Sequence, residues 1–104
     1  TMEKSTQEKF NFLEKHLKNK FKDSIIKVST HDVTTFFELK ENIRDIVVED
    51  WIDGVVLMKM IREIKNIYLN SQINVTYGKF TECNESYRQY KEVTCIILRV
   101  SLND

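Results

Sequence analysis

The apolar residues of this chain change their spacing three times, and that change limits the folds open to it more than any other feature. From about residue 6 to residue 22, Phe10, Leu13, Leu17 and Phe21 recur at the spacing of one helix face. From Ile25 the period falls to two. Ile26, Val28 and Thr30 alternate with Lys27 and Ser29, and Val33, Thr35, Phe37 and Leu39 with Thr34 and Glu38. The helical period returns after Asp50, where Val56, Leu57, Met60, Ile61, Ile64, Ile67 and Tyr68 form one broad face. Alternation then resumes in Ile73, Val75 and Tyr77 and carries on to Leu102. A chain patterned this way belongs to the α+β class. The expected fold is a mostly antiparallel sheet of about four to five strands with two helices on one face, in the order α-β-β-(β)-α-β-β.

The punctuation fits that order. Ser5 followed by Glu8 matches a capping box, and Asp23-Ser24 ends the first helix. Phe12 lies off the apolar stripe and reads as a rim contact. A turn is expected at His31-Asp32, then a third short strand from Ile43 to Val48 after the polar Lys40-Glu41-Asn42. The second helix is expected from Asp50 to about Leu69, with Asp53 in its first turn, although Gly54 there costs about 1 kcal/mol relative to Ala. In the last run Val93, Cys95 and Ile97 line one face, and Ile96, Leu98, Val100 and Leu102 the other. That is the pattern of a central strand. Residues 79–89 read either as a long hairpin loop or as an extra strand.

At 104 residues the chain accounts for a single domain over 1–104, with one core. A deep internal active-site cavity is hard to stabilise at this size. Sixteen basic residues balance sixteen acidic ones, which removes the strong electrostatic case for nucleic-acid or membrane binding. The balance is local: the chain up to Thr30 is rich in lysine, and the stretch from His31 to Gly54 is acidic. No apolar run reaches the ~18 residues of a membrane span, and the charged start is unlike a signal peptide, so the expected location is the cytoplasm. Two sequons, Asn74-Val75-Thr76 and Asn84-Glu85-Ser86, matter only in a secreted chain. The lack of Ala and Pro beside abundant Ile, Lys and Asn reads as the codon bias of an A+T-rich genome. That bears on source and not on function.

Candidate chemistry thins out quickly. Only Gly54 and Gly78 are glycines, so glycine-rich phosphate loops are excluded. His16, His31, Cys83 and Cys95 show none of the short paired spacings of zinc sites, and no metal or cofactor is expected. Both cysteines read as thiols, with Cys95 buried. His16 reads as an exposed helical histidine and His31 as a turn residue, and no spacing pairs either with Cys83 as base and nucleophile. Glu49 and Asp50 read as helix-terminus charges before they read as an acid/base pair.

Two surface features remain. Lys15, Lys18 and Lys22 form a basic stripe on the first helix, a possible contact for phosphate or an acidic partner. If the second helix starts at Asp50, Trp51, Val55 and Met58 make an apolar stripe beside Arg62, the residue types found at interface centres. The competing reading places Trp51 in the preceding loop and tucks it into the core. Either residues 79–89 fold over this stripe, or it is left open for a partner or a second copy of the chain. The resulting expectation is a non-enzymatic protein-binding module of the small inhibitor, immunity or adaptor type, with another protein as partner. The alternative is a small nucleic-acid-binding domain that uses the lysine stripe together with Tyr77, Phe80, Tyr87 and Tyr90.

Overall fold

We describe residues 4–33, 38–84, 86 and 89–103 of a computed structural model, the side chains at 4, 5, 30–33, 38–41, 80 and 82–84 excepted. The elements are α1 (Lys4–Phe21), β1 (Ile25–Val33), β2 (Glu38–Glu49), α2 (Gly54–Ile67), β3 (Gln72–Asn84) and β4 (Gln89–Ser101), with a single 3₁₀ turn at Lys22–Ser24 after α1. The four strands form one antiparallel sheet in the order β1-β2-β4-β3. The α+β class and the α-β-β-α-β-β order therefore hold, with four strands rather than five.

The core follows the two periods. Phe10, Leu13 and Leu17 of α1 and Met60 and Ile64 of α2 pack in one cluster with Ile46, Val48, Ile96, Leu98 and Val100. Those sheet residues are alternate positions of β2 and β4, so both helices cover the same sheet face. Val47 and Cys95 are also buried, yet they lie outside that cluster, on the other face. β4 sits between β2 and β3, where its two-sided apolarity placed it. On the helix-free face Ile97 lies so close over β3 that a side-chain carbon at Gly78 would come within 2.5 Å of it. The contact is with the Cδ1 tip of Ile97, so a larger residue at 78 would require that side chain to shift.

Three expected boundaries move. Helix α1 already includes Lys4 among the described residues, which puts Ser5 within the helix rather than at its cap; the Ser5 side chain lies outside the described residues. The turn expected at His31-Asp32 is absent, because the backbone of both residues belongs to β1. β1 and β2 stay paired antiparallel as far as Val33↔Glu38, and residues 34–37, Thr35 and Phe37 among them, lie outside the described residues. The separate strand at 43–48 is the second half of β2. The pairing explains the misreading: between Thr30↔Arg44 and Asp32↔Leu39, β1 advances two residues while β2 advances five. Lys40-Glu41-Asn42 thus marks an irregularity within a strand and not a break between strands.

The segment left open at 79–89 resolves into a hairpin. β2 pairs with β4 only as far as Glu49↔Cys95, whereas β3 and β4 stay paired out to Asn84↔Gln89. Beyond Cys95 they therefore form a two-stranded arm.

Candidate functional site

The site begins at the end of β2. A turn closes there with the Ile52 N–H donating to the Glu49 carbonyl at 3.5 Å. Asp53 then caps α2, its carboxylate accepting from the Val56 N–H at 2.9 Å. The cap at Asp53 puts the first helical residue at Gly54, four residues after the expected start at Asp50. Ile52 precedes the cap and Leu57 lies in the second turn, and both pack on the core, the arrangement of a hydrophobic staple.

Trp51 therefore lies in the turn before α2 and not on the helix. It does not enter the core either: Ile52 takes that place, and Trp51 stays 65% exposed. Val55 and Met58 on the first two turns of α2 are 63% and 55% exposed. With Gly54, Lys59 and Arg62 they line a shallow open depression, and Trp51 stands outside its lining. The hairpin arm does not close over these residues, which remain open to solvent. Asp50 is not a helix-terminus charge. It sits in the turn, where its carboxylate accepts a hydrogen bond from the Thr94 hydroxyl and ties the turn to β4. Glu49 ends β2.

The basic stripe is only partly assembled. Lys15 and Lys18 line a second shallow depression on α1 with Asn11, Glu14 and Asn19. Lys18 donates to Glu14 at 2.8 Å, an ion pair one helical turn apart. Lys22 leaves the stripe, because α1 ends at Phe21 and Lys22 takes the left-handed φ of 42° that starts the 3₁₀ turn. Tyr77 and Tyr90 are exposed on β3 and β4, whereas α1 packs against β1, β2 and α2, so lysines and tyrosines share no groove. The Phe80 side chain and Tyr87 lie outside the described residues.

His16 is not the exposed histidine expected. Its Nε2 lies 2.7 Å from one oxygen of Glu63 on α2, while Lys20 donates to the other oxygen at 2.8 Å. Lys20, and then His16, hold the Glu63 carboxyl below the usual carboxylate range. Phe12 stacks on His16 with ring centroids 6.0 Å apart and stays largely exposed. At the other end of the helix pair the Tyr68 hydroxyl donates to the Lys9 carbonyl at 2.9 Å, so α1 and α2 run antiparallel. Cys95 is a free, buried thiol, pushed up from its ordinary pKa by burial. The Cys83 and His31 side chains lie outside the described residues. Among the described residues no three His, Cys, Asp or Glu side chains are grouped as a metal site requires. No described helix is long and apolar enough to cross a membrane. Comparison with protein-family models, curated proteins and solved structures finds no match to this chain.

Proposed function

We propose that this chain is a non-enzymatic protein-binding module of the inhibitor, immunity or adaptor type, located in the cytoplasm, that acts by occupying a surface of a partner protein. One observation carries the reading: Trp51 in the turn before α2, and Val55 and Met58 on its first two turns, are all exposed while the neighbouring Ile52 is buried. Water contact at a large aromatic and a thioether is a cost that a partner's pocket relieves, and Arg62 and Lys59 at the margin supply polar contacts around the apolar centre. The Lys18–Glu14 pair and the departure of Lys22 from the stripe weigh against the nucleic-acid alternative.

The test is capture from the source cells with two baits, the wild-type chain and the Trp51→Ala/Met58→Ala variant. The wild type retains a partner protein that the variant loses, while both baits melt cooperatively. Equal retention by the two baits overturns the reading. Salt-sensitive retention of nucleic acid by both favours the alternative.

A further inference from the structure

A sheet has two edges, and each exposes a row of backbone N–H and C=O groups that another strand can pair with. Here the edges are β1 and β3. They differ in regularity. β1 pairs with its neighbour through two register shifts, at Ile25/Lys27 and Thr30/Asp32, and such irregularities twist an edge away from further pairing. β3 pairs with β4 over all thirteen positions from Gln72 to Asn84 without a shift, and among the described residues no other strand covers its outer side. From Gln72 to Thr81 this edge carries a single charge, Lys79, and no proline.

The same edge gathers exposed apolar residues. Val75 is 42% exposed and Tyr77 85%, both on the helix-bearing face, and Leu69, just before β3, is 81% exposed. In an antiparallel pair about a twofold axis, residues whose numbers share a constant sum stand opposite each other. Centring the pair on Thr76 sets Tyr77 of each copy opposite Val75 of the other, an aromatic and β-branched pair of the kind that stabilises sheets, made twice. Thr76 then meets Thr76, another favoured pair, and Lys79 meets Ile73, so no like charges are opposed. The chain's zero net charge adds no general repulsion between copies. Past Lys79, the arm of each copy runs toward Leu69 of the other.

We propose that the outer edge of β3 is a self-association surface, on which a second copy of the chain adds its own β3 antiparallel about Thr76. Its residues are distinct from Trp51, Val55 and Met58. A strand edge with two such side-chain pairs buries no more than about 1,000 Å², the low end for a specific interface, so the dimer is weak and concentration-dependent.

Sedimentation velocity of the whole chain from micromolar to millimolar concentration tests this. The wild type shifts from monomer to dimer across that range. Tyr77→Glu weakens the dimer ~10-fold or more. On that background the residue at 75 decides the outcome: Val75→Glu/Tyr77→Glu opposes two glutamates and abolishes the dimer, while Val75→Lys/Tyr77→Glu opposes Lys to Glu and restores it. Melting curves check that each variant folds, and the wild-type series needs no variant. A wild type that stays monomeric throughout overturns the proposal, as does a dimer that responds equally to Lys and Glu at position 75. Trp51→Ala/Met58→Ala leaves the dimer unchanged if this edge carries it, and abolishes it if the Trp51 patch does, which overturns the edge assignment.

Discussion

Ile64 is fully buried between the helix pair and the sheet, so truncating it removes a branched side chain from a site with no solvent to refill it. Ile64→Ala is expected to destabilise the chain by about 2–4 kcal/mol, read from denaturant unfolding. Asp53→Ala removes the carboxylate that satisfies the Val56 N–H, and costs about 0.5–2 kcal/mol on the same measurement. The first effect was legible in the sequence, since Ile64 lies on the periodic face of its helix. The second was not read correctly. Asp50 and Asp53 are both plausible helix starters, and moving the cap by three residues decides which of Trp51 and Ile52 is buried. A period measured over a whole helix does not fix its first residue. The local evidence for a cap at Asp53 was the apolar Ile52 before it and Leu57 after it.

At the scale of elements, long-range order follows from the alternation of periods, but lateral contacts do not. Nothing in the spacing of His16, Lys20 and Glu63 announces that two helices 43 residues or more apart in sequence meet through them. The Glu63 carboxyl, held low first by Lys20 and then by His16, gives a pH test. A carboxyl with a lowered folded-state pKa contributes stability that is complete above the ordinary glutamate value of about 4.3 and is lost as pH falls through the lower folded value. Glu63→Gln should therefore lower the melting temperature at neutral pH. The gap to the wild type should close as the pH drops below that ordinary value, where protonation does to Glu63 what the substitution does. A gap constant down to strong acid would mean that the pairing with Lys20 and His16 contributes nothing. The sheet is legible in class and nearly in number, except where the irregular pairing around 40–42 reads as a strand break and where 79–89 reads equally as a loop or as an extra strand. Polar side chains on a strand without a helix above it carry no period-two signal, although their backbone pairs as well as any other.

For the whole molecule, one sheet with helices on one face leaves three kinds of surface: the outer side of the helices, the helix-free face and the two edges. Apolar exposure concentrates on the first, at Trp51, Val55 and Met58, and on the β3 edge. Truncating Trp51 and Met58 together should leave cooperative unfolding intact and weaken partner binding by at least ~2 kcal/mol, the scale of an anchor residue. Loss of the unfolding transition would instead place Trp51 in the core. The most direct probe of the patch is Trp51 itself, because it is the sole tryptophan of the chain and its fluorescence reports on this one place. In the free protein its emission should be that of a hydrated indole, fully open to acrylamide quenching. Addition of the captured partner should shift the emission to the blue and protect it from the quencher. A blue-shifted, protected emission in the free monomer, or an emission that a binding partner leaves unchanged, would contradict the assignment of Trp51 to the binding surface.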